Sequence, residues 1–434
     1  MLPDNTPPPP FSATAHQRNI YTQGLSGQKK RIPTDYHSLA QQAHKKMSTK
    51  AWAYIAGGAG NQHTVEQNQK GFDKWRIVPQ MLCDVSLRDI SVQLPTGKIP
   101  SPFLLSPIGV LEMAHQQADL AVARAAAQQG IPYIFSNQAS VPMETCAKAM
   151  GNSPRWFQLY WGQSNALVES LVKRAETAGC TAIVVTLDTT LLGWRTKDLD
   201  LQYLPFLEGK GIAQYTSDPL FMQLLQQQLI QTKSETNTPK PKITPQTIAT
   251  LLSIAKKYPN GSFWQNLRSG EPIKAVQLFT QIYSRPSLTW KDLPFLRQIT
   301  KLPILLKGIL HPNDAKKAAD QGLNGIIVSN HGGRQVDGAI STIEALPAIV
   351  KAINKQMPIL LDSGIRGGAD AFKAIALGAD AVCIGRPYVY ALSIAGEQGV
   401  TELLHNYMAD FELTMALAGC KSVQEISAEH IVQT

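Results

Sequence analysis

Residues 304–330 read "ILLKGILHPNDAKKAADQGLNGIIVSN". The stretch opens and closes on near-continuous apolar runs, "ILLKG" (304–308) and "GIIVSN" (325–330). An unbroken apolar run suits a parallel strand buried on both faces, because a half-exposed strand would alternate. Between the runs, "PNDAKKAADQG" (312–322) starts with proline and ends with glycine. Proline fits the first turn of a helix and glycine the left-handed residue that closes it. Strand, helix and strand in that order make one β/α crossover unit.

The same rhythm continues on both sides. Apolar runs recur at "FLLS" (103–106), "YIFS" (133–136), "WFQLY" (156–160), "AIVVTLD" (182–188), "ILLDSG" (359–364) and "AVCIG" (381–385). Helical stretches ending in glycine separate them, as in "ADLAVARAAAQQG" (118–130), "NALVESLVKRAETAG" (165–179) and "GADAFKAIALG" (368–378). Eight such units predict an α/β fold, a (β/α)8 TIM barrel. An open doubly wound sheet is the alternative. No G-x-G-x-x-G follows the first run, which counts against it.

The barrel with its flanks is expected over residues 35–425. Residues 35–54 read as a helix at one barrel end, and a last helix is expected over 400–418. Residues 1–34 read as an N-terminal extension whose four consecutive prolines favour an extended tail, and 426–434 as a C-terminal tail. Segment 196–287 breaks the rhythm and reads as a lid insertion, since long insertions in compact folds are usually functional. Its aromatic flank 203–225 is expected to pack over the barrel mouth, and its polar middle, 229–247, to be mobile.

Composition narrows the function. At 434 residues with 44% hydrophobic and 17% charged residues, the chain is of ordinary globular type. Its apolar runs are too short to span a bilayer, and the N-terminus lacks the basic and apolar regions of a signal peptide. The net charge of +9 is spread rather than gathered into a nucleic-acid footprint. Five widely spaced cysteines, with no C-x-x-C, argue against a disulfide framework and fit a reducing cytosol. The expectation is a cytoplasmic protein that neither inserts into membranes nor binds nucleic acid, with no metal site.

In such barrels chemistry collects at the C-terminal ends of the strands. Almost every run here ends in a polar or ionisable residue. Gly364, Arg366, Gly385 and Arg386 end the last two runs, where barrels commonly bind phosphate. Ser136, Gln158 and Thr186 are neutral hydrogen bonders suited to an amide-rich heterocycle, with Lys307 as a cation beside them. Flavin mononucleotide (FMN) would use all of these. The remaining groups suit a substrate. His331 is a candidate base with Asp188 as its partner. Arg195 and Arg334 suggest a clamp for a small carboxylate. Tyr54 and Tyr160 can hydrogen-bond a hydroxyl or keto oxygen.

With "SNHGGRQ" (329–335), "YIAGGAG" (54–60), "FQLY", "VTLDT", "LLKGI", "DSGIRGG" (362–368) and "IGRP" (384–387) in order, the chain resembles the FMN-dependent α-hydroxy-acid oxidase and dehydrogenase family. The resemblance spans roughly residues 35–425. It implies His331 as base, Asp188 and Tyr160 beside it, and Tyr54, Tyr160, Arg195 and Arg334 on the substrate. It also implies an FMN site formed by Pro107, Ile108, Gly109, Ser136, Gln158, Thr186, Lys307, Ser329, Asp362, Gly364, Arg366, Gly385 and Arg386. "SPIGV" (106–110), "GWRTKDLD" (193–200) and "RNIYTQGLSGQ" (18–28) resemble the lactate 2-monooxygenase branch. There Gly109, lacking a methyl, is expected to leave space beside the flavin. The partners implied are a small L-2-hydroxy acid, such as L-lactate, and molecular oxygen, in a homo-oligomer (tetramer or octamer). An oxidase releasing keto acid and peroxide, a quinone-linked dehydrogenase and a noncatalytic flavin-binding sensor are the alternatives.

Overall fold

The computed structural model describes residues 11–232 and 244–434. All eight apolar runs are strands: β1 Phe103–Leu105, β2 Tyr133–Phe135, β3 Arg155–Leu159, β4 Ile183–Thr186, β5 Ile304–Ile309, β6 Gly325–Val328, β7 Ile359–Asp362 and β8 Ala381–Ile384. Each pairs with its sequence neighbour in parallel, and β8 pairs back onto β1, with Val382 opposite Phe103. That last pairing closes the sheet and decides for the barrel over the open sheet. Nearly every strand residue is buried, as strands enclosed by helices on one side and by one another on the other require.

The register slips once, between Lys307 and Ile309 of β5. A bulge of this kind re-aims the neighbouring side chain. Here it falls at Gly308, whose φ is +105°.

Two helices differ from expectation. Residues 35–54 form two, Tyr36–Lys46 and Thr49–Ala56, because the Ser48 side chain accepts from the Ala51 N–H and caps a new start. The last helix begins at Arg386, directly after β8, and runs to Leu417. Its kink at Ala395 and Gly396 hides the first half from a periodicity reading. Gly396 has φ +59°, and a Cβ there would lie 3.1 Å from the His115 ring.

The flanking segments are tied to the barrel. Helix Ala13–Leu25 lies along the last helix, with the Ala13 N–H on the Glu412 carboxylate at 3.0 Å. In the C-terminal tail, Ile431–Gln433 pairs antiparallel with Trp75–Ile77. The four prolines at 7–10 lie outside the described residues.

Between β4 and β5 the chain forms helices Thr196–Asp200, Pro219–Thr232, Pro245–Lys257, Phe263–Ser269 and Glu271–Ile282. Flank 203–225 packs down on the barrel, with Tyr215 and Phe221 buried. Gln214 accepts from the Met143 N–H, Arg174 pairs with Asp218, and Lys257 pairs with Glu112. Of the stretch expected to be mobile, 233–243 lies outside the described residues and both of its ends are helical. Among the described residues no helix is long and apolar enough to cross a membrane.

Candidate active site

The loop after β6 solves the problem of its own sequence. His331, Gly332 and Gly333 are three successive left-handed residues, with φ of +58°, +64° and +76°. A Cβ on Gly332 would meet the Arg386 guanidinium at 2.8 Å, and one on Gly333 would meet the Val65 nitrogen at 2.6 Å. The loop can bend this way only with glycine at both positions. His331 itself carries the strain that active sites often hold. Hydrogen bonds keep it there: His331 N–H to Ser329 Oγ at 3.1 Å, Gly332 N–H to Ser363 Oγ at 2.9 Å, and Gly333 N–H to Asn330 Oδ1 at 3.1 Å.

The strained turn presents His331 Nδ1 to Asp188 Oδ1 at 2.8 Å. A carboxylate only accepts, so Nδ1 carries the proton and Nε2 keeps its lone pair. Burial depresses the imidazole below its ordinary range, and Asp188 offsets only part of this. His331 is therefore a neutral acceptor at neutral pH. Asp188 comes this close because Gly308 has no side chain; a Cβ there would sit 3.0 Å from the Asp188 Cβ.

Two arginines line the same cleft beside this pair. Arg334 donates from Nη1 to the Gly57 carbonyl at 3.0 Å and to the Tyr54 carbonyl, and it lies 4.9 Å from the Tyr54 ring centroid. Arg195, buried, donates to the Arg334 carbonyl and to Gln335 Oε1 at 2.9 Å. Burial and the nearby Arg195 pull the Arg334 guanidinium down to about 9. Like charges facing one cleft mark a place for an anion. Tyr160 completes this end; burial and Asp188 push its phenol up to about 12, so it remains a hydrogen-bond donor.

Across the cleft, Lys307 Nζ lies 2.8 Å from Ser329 Oγ and 2.9 Å from Asp362 Oδ2. Asp362 also accepts from Ser106 and Ser329, each at 2.6 Å. Burial alone would raise this carboxyl, but Lys307, Ser106 and Ser329 hold it at about 2. Ser136, Gln158 and Thr186 form one hydrogen-bonded row across β2, β3 and β4, with links of 3.2 and 3.0 Å. They sit behind the cleft rather than on its lining.

His331, Arg195, Arg334, Tyr160, Lys307 and Asp362 face one cleft at the C-terminal ends of the strands. Pro107, Ile108, Gly109, Gly364, Arg366, Gly385 and Arg386 line it, as do Leu191, Leu192, Phe206 and Tyr283. Arg366 has a buried Nε with no protein partner. A Cβ on Gly385 would meet nothing closer than 3.7 Å, so the backbone there borders open space. The helices after β7 and β8 start at Gly368 and Arg386. An unpaired guanidinium donor, an open glycine and two helix starts suit a phosphate. The amide-bearing row and Lys307 suit a polar ring edge, so the donor set fits FMN. Arg386, by contrast, directs its donors to the carbonyls of Ile55, Gly57 and Gly332 at 2.8–3.0 Å, knitting the loops together.

Gly109 differs from expectation. A Cβ there would point at Gln138, 2.9 Å from its carbonyl oxygen and 3.0 Å from its Cβ. Glycine lets the loop after β2 approach; the space a methyl would fill is already taken by Gln138.

Sequence reading missed Gln335, which bonds the Asp188 and Leu191 carbonyls as well as Arg195. It also missed Gly308 and the reciprocal Asn68–Asn330 amide pair under the loop, at 2.7 and 2.8 Å. Gln335 closes the quoted "SNHGGRQ", and glycine inside the apolar run "LLKGI" was a signal of close approach.

The FMN-dependent dehydrogenase family model matches residues 43–433. The chain belongs to this family. FMN is accordingly its cofactor, and its activity is that of an FMN-dependent α-hydroxy-acid oxidoreductase. It is 39% identical over 402 residues to the L-lactate oxidase of Lysinibacillus sphaericus (strain C3-41), covering 93% of each chain. It is 36% identical over 422 residues to an FMN-dependent alpha-hydroxy acid dehydrogenase of Penicillium citrinum, covering 97% of this chain and 96% of the relative. Among solved structures, a mandelate oxidase with (S)-4-hydroxymandelic acid superposes with a TM-score of 0.74 at 32% identity, covering 92% of this chain and 98% of the other.

Proposed function

We propose that this family member oxidises a small L-2-hydroxy acid, L-lactate, with molecular oxygen as acceptor. One observation carries the reading: His331, oriented by Asp188 at 2.8 Å, shares a cleft with Arg195 and Arg334. The substrate carboxylate sits on the two guanidiniums. Tyr54 and Tyr160 bond the 2-hydroxyl, and His331 Nε2 takes a proton from the substrate. Asp188 steadies the imidazolium that forms. Bound FMN supplies the two-electron acceptor. Arg366 and the backbone at Gly364 and Gly385 would hold its phosphate and Lys307 its ring edge, with Ser136, Gln158 and Thr186 behind them. The named L-lactate oxidase relative supports the choice of substrate.

The lid insertion, described over residues 196–232 and 244–287, supports a reading of the products' fate. Its flank is pinned by Gln214, Asp218 and the Lys257–Glu112 pair. A lid held this way keeps pyruvate and hydrogen peroxide together long enough to react to acetate, carbon dioxide and water, the lactate 2-monooxygenase outcome. The oxidase relative favours the second reading, release of both. Product analysis during aerobic turnover of L-lactate, with catalase present, separates them. Acetate as the main product supports retention; stoichiometric pyruvate rejects it.

Two further outcomes are expected. Arg334→Lys keeps the charge but loses the planar fork. Loss of a charge-assisted hydrogen bond should lower kcat/KM for L-lactate by about 10-fold to 100-fold, with FMN retained; an unchanged kcat/KM would place the carboxylate elsewhere. The pH profile follows His331. The base works only when neutral, so kcat/KM falls as the pH drops through its folded-state pKa. Burial sets that value low, so the acid limb should lie below the ordinary histidine value of about 6.5. A limb above it would contradict the assignment.

A further inference from the structure

Asp198 is a carboxylate without a stated task. It lies in the short helix Thr196–Asp200, one turn beyond Arg195, which packs on the helix carrying Tyr54. The segment is pinned. The Asp198 carbonyl accepts from the Tyr203 N–H at 2.9 Å, and Thr196 Oγ1 donates to the Gly60 carbonyl at 2.8 Å. The residue is 7% exposed, and its Oδ1 is buried with no hydrogen-bond partner. A carboxylate kept for packing would be hydrogen-bonded, because burying an unpaired charge is costly. Burial raises its carboxyl, and the charges that draw it back are Arg334 and Arg195. Asp188 and Asp362 have partners of their own in His331 and Lys307. Among the described residues, Asp198 is a buried carboxylate with an unpartnered oxygen, one turn from Arg195 on the side of the clamp.

We infer that Asp198 cancels one unit of the positive charge presented by Arg195 and Arg334, and so selects monocarboxylate ligands over dicarboxylates. The inference rests on the reading of these arginines as the substrate clamp. With Asp198 in place, a second carboxylate on the ligand meets little unbalanced positive charge. Without it, a dianion gains more than a monoanion does. Asp198 is a specificity-determining and positioning residue, acting through the two arginines rather than on the reacting atoms.

The test is equilibrium binding to the FMN-loaded protein, by titration calorimetry, with oxalate as the dianion and pyruvate as the monoanion. Asp198→Asn should favour oxalate over pyruvate by about tenfold relative to the unsubstituted protein, equivalent to about 1.4 kcal/mol. Asp198→Ser should shift in the same direction, so misfolding of one variant leaves the test standing. Asp198→Glu should keep the original preference. A structural role would instead weaken both ligands alike. That result, an unchanged ratio, or a shift with glutamate equal to that with asparagine would overturn the inference. If the unsubstituted protein bound neither ligand, the clamp reading itself would fall, and the inference with it.

Discussion

Replacing His331 with glutamine is expected to slow flavin reduction by L-lactate by more than about 10²-fold, the usual range for a general base. Glutamine can still reach toward Asp188 but has no basic nitrogen. FMN should remain bound, because His331 is not among the groups that suit the phosphate or the ring edge. Rapid mixing without oxygen measures the reductive step apart from everything downstream. Reduction at the original rate would remove His331 from the mechanism. The left-handed backbone at position 331 is a modest cost for either residue, so the fold provides an internal control. Circular dichroism and FMN content should match the unsubstituted protein.

The second large effect is on stability. Lys307 is 3% exposed and faces Asp362, which is 6% exposed. Lys307→Met leaves that carboxylate among hydroxyls alone. Breaking a buried pair from one side costs about 3–5 kcal/mol, and urea unfolding of the FMN-loaded protein should show a loss of that size at neutral pH. The sign of the pH dependence follows. With Lys307 present, Asp362 stays ionised down to about 2, so its contribution is complete above the unfolded value of about 3.9 and is lost as pH falls through the folded one. In the variant the carboxyl takes up a proton at higher pH, so the deficit should shrink on acidification. An unchanged unfolding midpoint would show that the pair carries no stability.

The sequence announces the barrel because its strands are buried on both faces, and burial on both faces writes unbroken apolar runs. It points to the candidate site for a related reason: barrel loops put chemistry at strand ends, and His331, Arg334, Asp362 and Arg386 stand where a run stops. What it hides depends on contacts between distant segments. Ser48 splits a helix by a local cap that periodicity cannot register. Gly396 conceals half of the last helix. Gln335 reads as a polar loop residue until the Asp188 and Arg195 segments fold against it. Gly109 reads as missing bulk near the flavin, yet its neighbour is Gln138.

Oxidation of L-lactate by the bound flavin can be seen by mixing the purified FMN protein with L-lactate in the absence of oxygen. The visible absorbance of the oxidised flavin should bleach in a single substrate-dependent phase, pyruvate should form in equal amount, and D-lactate should leave the spectrum unchanged. A flavin that stays oxidised with L-lactate and other small L-2-hydroxy acids, while FMN is fully bound, would contradict the proposed oxidation.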